Sequence, residues 1–130
     1  MKFRAMVATD KVDANGERFS RKALGQIMDT AVGKPLTVEF LHKLEGSFVE
    51  QAELDDNGQL FATGELGWVD LSGLMAKRDL YLVPGLRINA TTDDGSDSIG
   101  FKVIEMGLTT KPADPYLTPI EIYQDKKLSD

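Results

Sequence analysis

Apolar and polar positions alternate with a period of two along most of this chain, and the spacing becomes helical in two short stretches. Residues 3–9 read as a first strand, followed by a polar loop over 10–18 with an Asn15-Gly16 turn. Leu24, Ile27, Met28 and Ala31 then recur at helical spacing and predict a helix over 20–32. Ser20 stands at its N-cap position, and Phe19 and Leu24 have the spacing of a hydrophobic staple. Gly33 is the natural C-terminal stop, and Pro35 prevents continuation. Residues 36–41 read as a strand ending near His42. Residues 46–54 and 59–66 read as a hairpin that turns on Asp55-Asp56-Asn57-Gly58. A second helix is expected over 71–78, capped by Asp70, burying Leu71, Leu74 and Met75, with Lys77 and Arg78 near its C-terminus. Residues 81–92 and 98–109 read as a second hairpin, turning over 93–97. Pro112, Pro115 and Pro119 then interrupt regular structure before an edge strand near 120–123.

The order strand, helix, strands, helix, strands, joined mostly by hairpins, predicts an α+β fold. Its sheet is expected to be mostly antiparallel, or curled into a small β-barrel, with two flanking helices. One domain over 1–123 and a polar C-terminal tail over 124–130 account for the chain, whose 130 residues suit a single core.

Composition narrows the chemistry. There is no cysteine, so disulfides, zinc-thiolate sites and iron–sulfur clusters are excluded. Acidic residues outnumber basic ones by 21 to 15, giving a net charge of -6. That excess opposes binding to a phosphate backbone and favours a basic protein surface as partner. No apolar run approaches the length of a membrane span, and the first ten residues lack a signal-peptide pattern, so folding in a cytoplasm is expected. No resident metal or cofactor is expected.

His42 is the single histidine, and it reads either as a general base at a strand end or as an ordinary exposed loop residue. Asp10, Asp13, Asn15 and Glu17 resemble a calcium loop. Lys11 stands where the first aspartate belongs and Lys22 where the closing glutamate belongs, so a polar turn is the better reading. The Asp55-Asp56 and Asp93-Asp94 pairs are hairpin-turn chemistry, and Trp68 reads as a core or interface anchor.

Taken in order, several segments resemble the tailed-phage prohead (head-maturation) protease family, relatives of herpesvirus assemblin. Asp10, Asp13, Gly16 and the run Phe19-Ser20-Arg21-Lys22-Ala23-Leu24 resemble its opening strand, loop and helix. Residues 35–42, followed by Gly46-Ser47-Phe48-Val49-Glu50, resemble its strand, catalytic histidine and next strand. Leu60 to Leu66 resembles the strand before the second helix. The run from Glu105 to Pro115, EMGLTTKPADP, resembles the family's E-V-S-L-V…P-A-N-P signature. The likeness spans about residues 3–120, and it rests on order and spacing rather than on one motif. It implies a herpesvirus-protease-like fold.

The resemblance also implies a serine nucleophile, a histidine base and a third orienting residue. His42 matches the histidine, and Glu105 is the candidate third member. The nucleophile strand matches Val83-Pro84-Gly85-Leu86-Arg87-Ile88-Asn89-Ala90, which holds no serine. One register puts Gly85 at the nucleophile position and the other puts Arg87 there. Neither supplies the hydroxyl that serine catalysis requires, because glycine has no side chain and arginine stays protonated. By alternation Gly85, Arg87 and Asn89 share one face, with Leu86, Ile88 and Ala90 on the apolar face. A competing reading takes the literal Ser98-Ile99-Gly100-Phe101 as the motif, with Ser98 as nucleophile. Ser98 and Glu105 would then lie seven residues apart on one strand, about 23 Å if regular.

The resemblance therefore implies a phage head structural or assembly protein that has lost cleavage: a cement, decoration or minor capsid protein, located in the virion and assembled in the host cytoplasm. The expected partner is the major capsid protein, with self-association as a further expectation and neither nucleic acid nor membrane bound. The alternative is an active maturation protease cleaving scaffold or capsid precursor. Tyr116 and Leu117, in the Pro-rich segment 112–119, are the expected anchors for the partner; the other role open to that segment is closure of the barrel.

Overall fold

The computed structural model describes residues 1–67, 79–91, 94–96 and 98–123. Among them are seven strands and one helix: β1 (Lys2–Thr9), α1 (Arg21–Ala31), β2 (Pro35–Val38), β3 (His42–Leu54), β4 (Gln59–Glu65), β5 (Tyr81–Thr91), β6 (Ser98–Thr109) and β7 (Glu121–Tyr123). The expected helix over 71–78, Trp68 and the tail over 124–130 lie outside the described residues.

The strands form one mixed sheet in the order β5-β6-β2-β3-β4-β1-β7. Hairpins make most of the ladders antiparallel, as the turn residues require. Asp55 Oδ1 accepts the N–H groups of Asn57 and Gln59, both at 2.9 Å, and closes the β3–β4 turn. Gly58 completes that turn at φ 72°, a conformation that side chains with a Cβ disfavour. The β5–β6 hairpin runs from Tyr81↔Thr109 to Thr91↔Ser98. One pairing departs from the expected pattern: β2 lies parallel to β6, through Leu36↔Met106 and Val38↔Leu108. A parallel neighbour requires a long crossover, and no local turn residue encodes it.

The sheet does not close into a barrel. β5 and β7 are its two edges, although β1 packs beside β5 as the sheet curls. Pro84 is tolerated inside β5 because that strand is an edge.

The helix starts where the sequence places it. Ser20 Oγ accepts the Ala23 N–H at 3.1 Å. Leu24, Ile27 and Ala31 are buried, and Met28 packs partly against the same core. Phe19 stacks edge-on against Phe101, with centroids 5.6 Å apart. The helix also covers a stretch of β6 that β2 is too short to reach. The N–H of Phe101 donates to Gln26 Oε1 at 3.2 Å, and that of Val103 to Thr30 Oγ1 at 2.9 Å. Two side chains of α1 thus stand in for a neighbouring strand.

Leu24, Ile27, Leu36, Leu60, Leu82, Val103 and Leu108 form the centre of the core, with Phe3 beneath β4. The alternation expected along β5 breaks part-way. Ile88, expected on the apolar face, is 65% exposed. The ladder shifts between Gly85↔Glu105 and Leu86↔Val103, leaving Ile104 as the extra residue of a bulge. Asn89 then adopts φ 56°. Each irregularity re-aims the side chains beyond it.

Candidate functional site

The strand expected over 36–41 ends at Val38, and the reason shapes the site. Glu39 and Phe40 both take left-handed conformations, φ 52° and 58°. The Leu41 N–H returns to the Val38 carbonyl at 3.0 Å, so β2 reverses directly into β3. Such turns favour Asn-Gly, and placing Glu and Phe there costs on the order of 1 kcal/mol per residue. His42 consequently opens β3, paired with Val38, instead of closing the preceding strand.

Phe40 lies across the backbone of the β5–β6 hairpin. A Cβ on Gly107 would fall 2.6 Å from Cε1 and Cζ of its ring, and one on Gly85 would fall 3.0 Å from Cε1. Val83↔Gly107 and Gly85↔Glu105 are alternate pairs in the ladder and share one face, so the two glycines make a shallow seat for one aromatic ring. Glu105 Cγ borders the same seat, 3.1 Å from where a Gly85 Cβ would stand.

The fold therefore brings Gly85 and Glu105 together as a cross-strand pair and puts His42 elsewhere. His42 pairs with Val38, which pairs with Leu108 of β6. Two strand spacings and three residues along β6 separate its Cα from that of Glu105, about 14 Å in all. Three residues along a regular strand also turn Glu105 to the face opposite Leu108. No hydrogen bond joins the His42 side chain to another of the described residues. Arg87 is exposed on β5, opposite Lys102. Ser98 pairs through its backbone with Thr91 at the far end of the hairpin, and its side chain lies outside the described residues.

A cleft of about 420 Å³ lies between β1 and β5. Val7 and Ala8 of β1 and Val83 and Pro84 of β5 contribute its apolar lining, together with Phe19 and Phe40. The segment over 111–117 crosses it and contributes Leu117, which is 7% exposed and part of the wall. Tyr116 beside it is 56% exposed. Thr9 Oγ1 donates to Asp114 Oδ2 at 2.6 Å, and Asp114 Oδ1 accepts the Tyr116 N–H, which ties this segment to β1. The Ala14 N–H donates to the Ala113 carbonyl at 2.8 Å and ties it to the loop after β1.

Charge in the cleft is mostly negative: Asp13, Glu39 and Asp114 face it, against Lys111. Asp13 Oδ1 accepts two loop N–H groups and Glu39 Oε2 accepts the Thr109 hydroxyl. Among the described residues no group of three or more histidine and carboxylate side chains is placed to hold a metal ion.

The cleft residues Glu39, Phe40, Val83 and Asp114 were not candidates from sequence. The available signal was the pair of glycines inside strands, at 85 and 107, which marks a close approach by another group. No protein-family model, curated protein or solved structure matches the chain.

Proposed function

We propose that this chain is a head structural or assembly protein of a tailed phage, a prohead-protease-like member that binds capsid protein and does not cut it. The observation that carries this reading is the Phe40 ring seated over Gly85 and Gly107. Gly85 is one of the two positions at which the resemblance places a nucleophile, and an aromatic ring covers it. The other, Arg87, is solvent-facing and chemically unsuited to attack. His42, the base in the resemblance, stands on β3, three strands away from β5 in the sheet order, and on a different pairing level. General-base catalysis needs hydrogen-bond reach.

A protein of this kind is kept for what it binds. Its -6 charge complements a basic protein surface and is repelled by packaged DNA. Tyr116 is the exposed partner anchor in this reading, whereas Leu117 serves the interior.

The test mixes the purified chain with the major capsid protein precursor. Co-sedimentation with assembled shells and an unchanged precursor mass are expected. Tyr116→Ala should reduce co-sedimentation while leaving the circular dichroism spectrum unchanged. Specific precursor cleavage that disappears in Ser98→Ala would overturn this reading and identify a maturation protease.

A further inference from the structure

The cleft between β1 and β5 combines three features that together specify an occupant. Its sides are apolar, with Val7, Ala8, Val83 and Pro84 converging from the two strands. Its charged groups are three carboxylates, Asp13, Glu39 and Asp114, against the Lys111 ammonium. β1 and β5 pack beside each other there without a hydrogen-bonded ladder among the described residues: β5 is the last strand of the sheet, and β7 pairs with β1 only at Lys2–Arg4. Strand edges of this kind are matched by another extended backbone, which a compact small molecule does not supply.

We propose that this cleft binds an extended peptide segment presenting a basic side chain flanked by apolar ones. The apolar side chains pack on Val83, Pro84 and Phe40, the accessible part of the apolar lining, since Val7 and Ala8 are buried, and the cation is held by Glu39 with the other two carboxylates behind it. Asp13 and Asp114 accept N–H groups of their own loops, while Glu39, on the exposed turn, makes one longer bond, accepting the Thr109 hydroxyl at 3.3 Å, and gives up least on meeting a ligand. Glu39 and Phe40 keep their left-handed turn at a conformational cost while both side chains line the cleft. This inference does not depend on a phage-head role, because it follows from the shape and charge of the cleft alone.

The experiment uses two capped, fluorescently labelled pentapeptides, Ala-Leu-Lys-Leu-Ala and Ala-Leu-Glu-Leu-Ala, titrated with the whole chain in an anisotropy assay. The lysine peptide should bind saturably and weaken as salt is raised, and the glutamate peptide should bind markedly less well. Glu39→Lys should weaken the lysine peptide by roughly fivefold or more, and Lys111→Glu should tighten it by a similar factor, the scale of exposed charge pairs. Both side chains are exposed, and Glu39→Gln replaces the reversal if Glu39→Lys alters the circular dichroism spectrum. Equal affinity for the two peptides, absence of saturable binding, or an unchanged affinity in a folded Glu39 variant would overturn the proposal.

Discussion

The ring of Phe40 rests on Gly107: Cε1 and Cζ stand 2.6 Å from where a Cβ on that glycine would be. The contact explains two things at once. It gives a reason for a glycine inside a twelve-residue strand, and it fixes the β2–β3 turn against the β5–β6 hairpin. The same ring covers Gly85 and lines the cleft, so one side chain joins β5 to the cleft beside β1.

Gly107→Ala should therefore destabilise the fold by about 1–3 kcal/mol, the usual cost of overpacking. Phe40→Ala removes the obstacle, and the double variant should be more stable than the sum of the two single effects predicts. Urea denaturation of the four proteins measures this coupling. Strict additivity would show that the ring does not occupy the seat in solution.

Replacing Gly85 by serine tests the proposed absence of catalysis directly. Gly85→Ser places a hydroxyl where the resemblance expects a nucleophile, yet the ring contact and the distance to His42 both remain. No hydrolysis of capsid precursor should appear, and His42→Ala in that background should change nothing. A gain of cleavage that His42→Ala abolishes would mean that the sheet rearranges to unite the pair.

Thr30 supports β6 from the helix by accepting the Val103 N–H at 2.9 Å while donating to the Gln26 carbonyl at 2.8 Å. Thr30→Val keeps the shape and removes both bonds. A loss of about 1–3 kcal/mol is expected, because a half-buried N–H is left without its acceptor. Hydrogen exchange at Val103 should accelerate more than at Met106, whose strand neighbour is β2.

Lys2 bridges Glu50 at 2.6 Å and Glu65 at 2.9 Å on the outer surface of β1. Hydrogen bonds that its ammonium donates to both carboxylates raise its pKa, and the Lys2 hydrogen bond lowers that of Glu65. The raised lysine contributes stability that is present below its unfolded pKa and is lost as pH climbs through the folded value. The lowered Glu65 contributes stability present above its ordinary value of 4.5 and lost as pH falls through the folded value. Lys2→Met should thus flatten the fall in melting temperature below pH 4.5, and added salt should shrink the difference because all three groups are solvent-accessible. A melting profile unchanged in acid would show that the cluster is not formed in solution.

The sequence by itself determined the elements whose causes are local. Ser20 caps α1 because its hydroxyl meets an N–H three residues on, and Leu24, Ile27 and Ala31 face inward because helical geometry aligns them. Asp55 and Gly58 turn β3 into β4 through bonds inside a five-residue span. The α+β class and the alternation of the hairpins follow from such features. Tertiary structure alone decided the parallel contact of β2 with β6, since a pairing between Leu36 and Met106 spans seventy residues and leaves no trace in either neighbourhood. It also decided that Glu39 and Phe40, neither a turn-former, would reverse the chain, because the ring's seat on two distant glycines offsets the strain. Ile88 reads as apolar-face by alternation, yet it is 65% exposed in a hairpin whose register shifts at Ile104 on the partner strand. His42 and Glu105 have the order expected of a catalytic pair, yet the insertion of β2 between β3 and β6 separates them. Residue order along the chain carries propensities, while strand neighbours are chosen by the core as a whole, and distances between side chains follow the neighbours.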